Sequence, residues 1–398
     1  MDRLYVIGAG PGDPACLTQV AKDAMDSSQR ILSMERISNL DPRIKATDLS
    51  GLYAELQDSR QGTTAVLLSG DTGYFSLAQR LLNDFTGVYE ILFIPGISSL
   101  QYFSAKIKIP YDDALFVSLH GRQSKLIGKI AFNDKVFIIP GGDHTPTAIC
   151  KVLTQRGLGF VDVCVGENLS YEDERIIAGK ADKMQDMEFG NFSLMCVQNP
   201  TPQNPHRPLK DGDFIRGEFP MTKEEVRWIA LRKLEINPSD VIYDIGAGTG
   251  SVGVEAAREA FDGLVYSFEV EPEACTLTWD NANLHGAFNL QVIPGLAPET
   301  FEGVMTPDKA FIGGSKGNLD QILAALVELN PKIRVVATAI SLETLHELIE
   351  SMEAHGFMNP EVVCINAARA SKRGKHHLML AENPVYIICG TRMGIRVR

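Results

Sequence analysis

The chain has 398 residues, of which 44% are hydrophobic and 22% charged, so it is long and apolar enough to form two globular domains. Its 38 basic and 50 acidic side chains give a formal net charge of −12, which provides no overall positive field for phosphate backbones and disfavours a nucleic-acid substrate. No apolar run approaches the roughly 18 residues that cross a bilayer, and the first residues carry no leader pattern. We therefore expect a cytoplasmic protein that does not contact membranes.

The seven cysteines predict neither a disulfide framework nor a metal site. Their number is odd and no two of them form a Cys-x-x-Cys pair. The adjacent His376 and His377 also lack the i, i+4 spacing that places two ligands on one helix face. We expect reduced thiols and no metal held by the protein.

The first half of the chain alternates short β-rich runs with helix-length segments, which is the pattern of a doubly wound α/β domain. A break at Ile109-Pro110-Tyr111 suggests that this domain has two lobes. The predicted strands are Leu4 to Ile7, Ala65 to Leu68, Ile91 to Ile94, Leu115 to Ser118, Val136 to Ile139 and Val161 to Val165.

A proline-rich segment separates the two halves. Prolines at positions 200, 202, 205, 208 and 220 exclude a continuous helix or a central strand there. We therefore predict a first domain over residues 1–198, a linker over 199–220 and a second domain over 221–398.

After the linker, the alternation of helices and strands starts again. An amphipathic helix is expected from Lys223 to Leu234 and a second helix from Ser251 to Ala260. The predicted strands, which complete a Rossmann-like α/β sheet, are Val241 to Ile245, Leu264 to Glu269, Ala310 to Ile312, Ile333 to Thr338, Glu361 to Ile365 and Val385 to Cys389.

The first of these strands ends in a glycine turn, residues 246–250, that is typical of nucleoside sites. The turn opens a helix, so its backbone amides face the edge of the sheet where ligands bind. Glu269 ends the next strand and is placed to accept hydrogen bonds from both ribose hydroxyls. A dinucleotide pattern fits when read from Gly248, but it fails at Ser251 when the turn is read from the strand end. With Asp244 two residues before the first glycine, the pattern favours S-adenosylmethionine.

Four stretches of the second half resemble a family of small class I methyltransferases. They are Met221-Thr222-Lys223-Glu224-Glu225-Val226-Arg227, Asp244-Ile245-Gly246-Ala247-Gly248-Thr249-Gly250-Ser251, Phe311-Ile312-Gly313-Gly314-Ser315 and Asn366-Ala367-Ala368-Arg369. That family methylates C15 of a corrin precursor and decarboxylates its C12 acetate, and the resemblance covers about residues 213–398. It implies cofactor contacts at Thr222, Gly246, Ala247, Gly248, Thr249, Gly250, Glu269 and Ala297. Leu296 stands where an aspartate is common in that family.

The first half carries a different glycine pattern, Gly8-Ala9-Gly10-Pro11-Gly12-Asp13-Pro14. Its prolines remove amides that would cradle a pyrophosphate, so it is a poor phosphate loop. Together with Leu68-Ser69-Gly70-Asp71-Thr72-Gly73-Tyr74-Phe75 and Ile94-Pro95-Gly96-Ile97-Ser98-Ser99, it resembles the three loops of the tetrapyrrole methylases. That resemblance covers about residues 1–197 and implies a two-lobed, class III fold. The implied cofactor contacts are Pro11, Gly70, Asp71, Thr72, Ser98 and Ser99, with Thr72 in place of the family's usual proline.

Four basic side chains are candidates for binding the carboxylate arms of such a substrate. His120 and Arg122 follow a predicted strand, and a hydrogen-bonded loop histidine beside a solvated arginine is the alternative interpretation. Arg369 opens a basic cluster that extends to His377, for which a solvated surface loop is the alternative. Lys223 belongs to the first family stretch of the second half.

Both halves together resemble the bifunctional C5,15-methyltransferases of cobalamin biosynthesis. The resemblance implies a small-molecule tetrapyrrole substrate, two S-adenosylmethionine sites per chain and self-association into a homo-oligomer. Two alternatives remain, a methyltransferase acting on RNA and a non-enzymatic scaffold. The net negative charge disfavours the first, and the intact glycine turns disfavour the second. The residues do not decide whether the substrate ring carries cobalt or which methylation comes first.

Overall fold

The computed structural model describes residues 2–57, 62–119, 126–190 and 192–392. The chain divides into two compact units. The first unit comprises Met1–Ser124, Lys135–Gln155 and Gly159–Pro200, and the second comprises Lys125–Asp134, Arg156–Leu158 and Thr201–Arg398. Both units have the α/β architecture that the sequence predicts. None of the helices in the described ranges is long and apolar enough to cross a membrane.

The first unit begins with a five-stranded parallel sheet in the order β3-β2-β4-β1-β5. Apolar side chains alternate between its faces, so α2 and α3 pack against one face and α1 packs against the other. The elements are β1 (Asp2–Gly8), α1 (Gln19–Asp26), β2 (Arg30–Met34), β3 (Ile44–Thr47), α2 (Leu49–Gln57), β4 (Thr64–Leu68), α3 (Ala78–Phe85) and β5 (Tyr89–Ile94).

A second five-stranded sheet completes the first unit in the order β6-β7-β10-β8-β9. The β6 and β7 strands are parallel and the other neighbours are antiparallel. Leu100 and Phe103 of α4 pack against this sheet. The elements are α4 (Ser99–Ile107), β6 (Leu115–Ser118), β7 (Lys135–Ile139), α6 (Pro146–Gln155), β8 (Asp162–Glu167), β9 (Arg175–Lys180), α7 (Ala181–Met184) and β10 (Ser193–Gln198), while α5 (Leu126–Ala131) belongs to the second unit.

All six strands predicted in the first half are present, but β2, β3, β9 and β10 are additional. The β9 strand alternates between half-buried and exposed residues at the sheet edge, so it lacks the apolar run on which the prediction relied. The β2 strand has such a run, in Ile31 and Leu32, but it is only two residues long before Ser33 interrupts it.

Residues 201–220, which the sequence analysis treats as a linker, cluster with the second unit. Leu209 and Phe214 are buried in its core, and a short 3-10 helix spans Asp211–Asp213. The guanidinium of Arg227 lies under this segment and is fully buried. The second part of the proline-rich stretch is therefore packed structure rather than a free spacer.

The second unit is built on a seven-stranded sheet in the order β13-β12-β11-β14-β15-β19-β16, parallel except for β19. Helices α11 and α12 contribute to the core on one face, and α8, α9 and α10 to the core on the other. The elements are α8 (Glu224–Leu234), β11 (Val241–Ile245), α9 (Ser251–Glu259), β12 (Leu264–Glu269), α10 (Pro272–Leu284), β13 (Leu290–Pro294), β14 (Lys309–Ile312), α11 (Leu319–Leu329), β15 (Arg334–Ala339), α12 (Leu342–Ala354), β16 (Glu361–Ile365), β17 (Ala368–Arg373), β18 (His376–Ala381) and β19 (Val385–Thr391).

The basic cluster that begins at Arg369 is a regular antiparallel hairpin of β17 and β18. The interpretation of this cluster as a loop is wrong, because the segment is regular β-structure, but its side chains are mostly exposed, as that interpretation expects. Gly374 at the tip has a φ of 61°, which suits the two-residue turn that joins the strands.

The backbone of Gly246 approaches that of Gly314 more closely than any side chain would allow. A Cβ atom at Gly246 would lie 2.7 Å from both the nitrogen and the oxygen of Gly314, and the φ of Gly246 is 74°. A Cβ atom at Gly314 would meet nothing within 4 Å. The two glycines therefore form a matched pair, one constrained and one free.

We predict that Gly246→Ala lowers the free energy of unfolding of the second unit by about 3 kcal/mol, through backbone strain and overpacking. The control, Gly314→Ala, should change it by less than about 0.5 kcal/mol. Trp228 and Trp279 are the chain's two tryptophans and both lie in the second unit, so urea unfolding followed by tryptophan fluorescence measures this quantity. Equal stabilities of the two variants would contradict the close approach.

Candidate cofactor and substrate sites

The second unit contains a cavity of about 1000 Å³ at the carboxyl ends of its parallel strands. Parallel sheets bind ligands at this edge, and the volume lies at the upper end of the roughly 300–1,000 Å³ range of small-molecule sites. Of the predicted cofactor residues, those that line the cavity are Thr222, Gly246, Ala247, Gly248, Glu269 and Ala297. Thr249 and Gly250 do not line it, because they lead into α9 beneath the turn.

The glycine turn is held in place by backbone hydrogen bonds to the neighbouring strand. The amides of Gly246 and Ala247 both donate to the carbonyl of Phe268, at 3.0 and 3.2 Å. Gly248 and Gly250 have φ values of 55° and 73°, in the left-handed region that favours glycine. The protein's own backbone therefore fixes the turn.

Glu269 connects the second strand to this turn. One carboxylate oxygen accepts a hydrogen bond from the Gly248 amide at 2.8 Å, and the other accepts from the amides of Val270 and Glu271 at 2.8 and 3.1 Å. A carboxylate has about four acceptor positions, so at least one remains for a hydroxyl group in the cavity. The side chain thus both shapes the turn and presents an acceptor to it.

Asp244 lies directly beneath the turn and is almost fully buried, with 1% of its surface exposed. Ser267 donates a hydrogen bond to Oδ2 at 3.2 Å, while Oδ1 has no hydrogen-bond partner among the described residues. Burial disfavours the ionised form and raises the pKa of Asp244 to about 7, and the charge of Glu269 adds to this. The residue therefore titrates near neutral pH.

The segment that carries Thr222 is anchored from below by Arg227. The buried guanidinium donates to the carbonyls of Thr222 and Leu209, at 2.7 and 2.8 Å, and pairs with Asp211 at 3.2 Å. The ring of Phe214 lies 4.8 Å from its central carbon, a cation–π contact. Arg227 therefore sets the position of the cavity wall at Thr222, a role that the sequence analysis missed.

The structure places the four candidate substrate residues in different situations. Lys223 lines the cavity, and within the described ranges it forms no ion pair. The guanidinium of Arg369 lies 3.2 Å from Glu224, 2.6 Å from Glu225 and 3.3 Å from Glu382. Because its guanidinium is paired with these carboxylates, Arg369 joins α8 to the hairpin and has no unpaired charge for a substrate carboxylate. His120 and Arg122 lie outside the described residues.

The first unit has its own cavity of about 480 Å³, lined from both of its sheets. Pro11 and Ser99 are the predicted cofactor residues that line it, together with Ser69, which the prediction omitted. The second sheet contributes residues that carried no recognisable motif, including the turn at Gly141 and Gly142. The remaining predicted residues, Gly70, Asp71, Thr72 and Ser98, do not line this cavity but lie in the loops around it.

Three loops of the first sheet meet beside this cavity through backbone contacts. Gly10 and Gly70 exchange hydrogen bonds at 3.1 and 2.7 Å, and a Cβ atom at Gly96 would collide with the Gly8 carbonyl. The Asp71 carboxylate accepts from the Gly96 amide at 3.0 Å and from the Gly73 amide at 2.8 Å. Asp71 is therefore the polar link between the second and third loops.

Ser98 has a structural role at the start of α4. Its hydroxyl accepts from the Gln101 amide at 3.0 Å, and the Gln101 side chain accepts from the Ser98 amide at 2.9 Å. This reciprocal pair is a capping box, and it orients the first turn of α4 so that Ser99 lines the cavity.

Comparisons with known proteins agree with two unlike halves. Residues 3–185 match the family model described as tetrapyrrole (corrin/porphyrin) methylases, and residues 214–392 match the one described as a precorrin methyltransferase domain. A probable cobalt-precorrin-6B C(15)-methyltransferase (decarboxylating) of Saccharolobus solfataricus is 39% identical over 189 residues, which are 46% of this chain and 95% of that protein.

One relative extends over nearly the whole chain. A precorrin-6Y C(5,15)-methyltransferase (decarboxylating) of a Sinorhizobium species is 26% identical over 384 residues, 93% of this chain and 92% of the relative. A crystal structure described as precorrin-6y C5,15-methyltransferase from Geobacter metallireducens is 34% identical with a TM-score of 0.44, and it covers 47% of this chain and 96% of that one.

These matches define the class as S-adenosylmethionine-dependent C-methyltransferases. Within that class, the chain belongs to the family of precorrin methyltransferases.

The buried carboxyl of Asp244 makes the stability of the second unit depend on pH. Its pKa is raised from an ordinary value near 4, so between about pH 4 and 7 the unfolded chain loses this proton and the folded chain keeps it. Stability from this group is complete below pH 4 and is lost as the pH rises to 7, by up to about 4 kcal/mol. Asp244→Asn should remove this loss.

The prediction is checked by urea unfolding of both proteins at several pH values, followed by tryptophan fluorescence. The free energy of unfolding of Asp244→Asn should rise relative to that of the wild type as the pH increases from 4.5 to 7.5 (about the span of the titration). A constant difference over this range would show that Asp244 ionises normally.

Proposed function

We propose that this enzyme methylates a corrin precursor of the precorrin-6Y type at C5 and at C15 and removes the carboxyl group of the C12 acetate. In this proposal the first domain, residues 1–198, has the class III tetrapyrrole methylase fold and methylates C5. The second domain, residues 221–398 together with the packed segment 201–220, has the class I fold, methylates C15 and releases carbon dioxide. Each domain binds its own S-adenosylmethionine.

The observation that carries the proposal is the presence of two separately built cavities in a chain that is similar over 93% of its length to a C(5,15)-methyltransferase. Each cavity lies beside loops that follow parallel strands, and each has its own glycine contacts. Carbons 5 and 15 lie on opposite sides of the macrocycle, so one bound donor does not reach both in a single pose.

The residues of the second cavity fit the cofactor. S-adenosylmethionine, when bound, supplies an electrophilic methyl group on a sulfonium. Glu269 lines the cavity, and its remaining acceptor position suits ribose hydroxyls. The glycine turn lets the backbone approach a ligand without interference from Cβ atoms. Thr222 and Ala297 face the cavity from two further segments.

Methyl transfer to a carbon of an electron-rich ring requires mainly alignment of the two reacting atoms. The second unit supplies that alignment by fixing the cavity walls at both ends, through Glu269 beneath the turn and through Arg227 beneath Thr222. Lys223 is free to pair with a carboxylate arm of the substrate and to hold the ring in one register. For decarboxylation, a ring position is first protonated, the conjugated ring then accepts the electron pair of the breaking C–C bond, and carbon dioxide leaves, so that overall one proton replaces the carboxyl group.

The first cavity offers a different set of groups. Pro11 and Ser99 lie on its wall, and Asp71 fixes the loops that surround it. This cavity is smaller than that of the second unit, and residues from two sheets line it. Both features support a cofactor that is held between two lobes. The Gly70-Asp71-Thr72 segment contributes by positioning Ser69 at the cavity.

The division of labour predicts opposite effects of two single variants in the full-length enzyme. Glu269→Ala removes a charged acceptor worth about 1.5–3 kcal/mol, so the KM for S-adenosylmethionine in C15 methylation should rise at least about tenfold. C5 methylation should continue. Asp71→Ala removes the side-chain bond that joins the second loop of the first unit to the third and a further bond within the second loop, so it should slow C5 methylation by a similar factor and leave C15 unaffected.

Mass spectrometry of the products from metal-free and cobalt-containing substrates measures all of these steps. The wild type should add two methyl groups and lose one carbon dioxide. Early in the reaction, Asp71→Ala should accumulate product that lacks the C5 methyl group. With S-adenosylmethionine below its raised KM, Glu269→Ala should accumulate product that lacks the C15 methyl group. Glu273→Ala and Asp112→Ala, at exposed carboxylates of the two units, are the matched controls. Loss of C5 methylation in Glu269→Ala with C15 spared would reverse the assignment.

A further inference from the structure

We propose that Lys316 binds a carboxylate arm of the substrate. In doing so, Lys316 exchanges its ion pair with Glu271 for one with the substrate. The proposal rests on the proposed function, because it takes the substrate to be a ring with several carboxylate arms. It adds a specificity-determining residue that none of the motifs includes.

Lys316 and Lys223 are the two cations among the described residues that line the cavity of the second unit. They come from different segments, Lys223 from the start of α8 and Lys316 from the loop after β14. Two positive groups on separate walls suit a ring whose acidic arms point outwards, since each arm needs its own cation.

The resting partner of Lys316 also lines the cavity. Its ammonium lies 3.1 Å from a carboxylate oxygen of Glu271, and the side chains are 61% and 50% exposed. An ion pair this exposed contributes about 0–1 kcal/mol, because water and ions screen it. A substrate carboxylate held by the rest of the cavity can therefore replace Glu271 at little cost.

The backbone at Lys316 supports a functional role. Its φ of 50° lies in the left-handed region, which costs energy for a residue with a Cβ atom. The next residue, Gly317, also has a positive φ of 87°, which glycine takes without this cost. Strained residues of this kind cluster at ligand sites, where the position of the side chain matters more than the local strain.

The other two carboxylates of the cavity have partners other than Lys316. Glu269 accepts three backbone hydrogen bonds, and Glu382 pairs with Arg369 at 3.3 Å. Of these three carboxylates, Glu271 is the one that pairs with Lys316 among the described residues. Replacing Glu271 by a substrate carboxylate therefore leaves the other contacts of the cavity wall unchanged.

Steady-state kinetics of C15 methylation by the full-length enzyme tests the proposal. Lys316→Ala keeps a Cβ atom and hence the same backbone strain, so it should fold normally. Its KM for the tetrapyrrole should rise about three- to tenfold, while S-adenosylhomocysteine binding stays as in the wild type. Lys316→Arg should restore most of the affinity. Lys332→Ala, at an exposed lysine outside the cavity, should leave KM unchanged.

Glu271→Gln separates this role from a structural one. If Lys316 serves only to pair with Glu271, both variants raise KM alike; if it binds substrate, Glu271→Gln frees it and KM does not rise. An unchanged KM in Lys316→Ala overturns the inference while the wild type still methylates the ring. Absence of ring methylation by the wild type instead overturns the proposed function.

Discussion

Both cavities depend on backbone segments that touch where no side chain fits. In the second unit the glycine turn lies against the loop after β14, and a Cβ atom at Gly246 would overlap the backbone of Gly314. In the first unit Gly8, Gly70 and Gly96 meet in the same way, with Cβ distances below 3 Å at Gly8 and Gly96. Two unlike sheets therefore use one physical device, in which glycine brings neighbouring strand ends together and leaves the edge of the sheet open for a ligand.

Carboxylates then fix these contacts in each unit. Glu269 accepts from the turn that it faces, and Asp71 accepts from the third loop of the first sheet. A charged acceptor contributes more to such a bond than a neutral one, because the hydrogen bond is charge-assisted. Glu269 and Asp71, which the motifs predict as cofactor contacts, thus also fix the loops beside the two cavities.

A buried charge cluster connects the proline-rich segment to the second cavity. Arg227 is enclosed by Asp211, Glu255 and two backbone carbonyls, which compensates for the cost of burying its charge. Arg369 extends the cluster to the hairpin through Glu224 and Glu382. The segment before α8 is therefore packed into the second unit. Because Arg227 bonds both this segment and Thr222, a shift of the segment would move the cavity wall at Thr222.

Much of this could be predicted from the sequence, because buried parallel strands are apolar runs and glycine turns follow them directly. The glycine turn of residues 246–250 and the strand ending at Glu269 are examples. The edge strand β9 alternates and β17 is polar, so neither gives such a signal. The apolar run of β18, Leu378 to Leu380, is exposed, so it does not form a buried strand. Arg369 illustrates a second limit, since a basic residue in a motif does not reveal that distant carboxylates surround it.

The central claim is that each chain holds two independent cofactor sites, one in each unit. Isothermal titration calorimetry of the full-length protein with S-adenosylhomocysteine tests it most directly, because the number of equivalents bound does not depend on the substrate. The account predicts about two equivalents per chain, and one in a protein that carries Glu269→Ala when the titration covers only the tighter site. A single equivalent bound by fully active wild-type protein would contradict it.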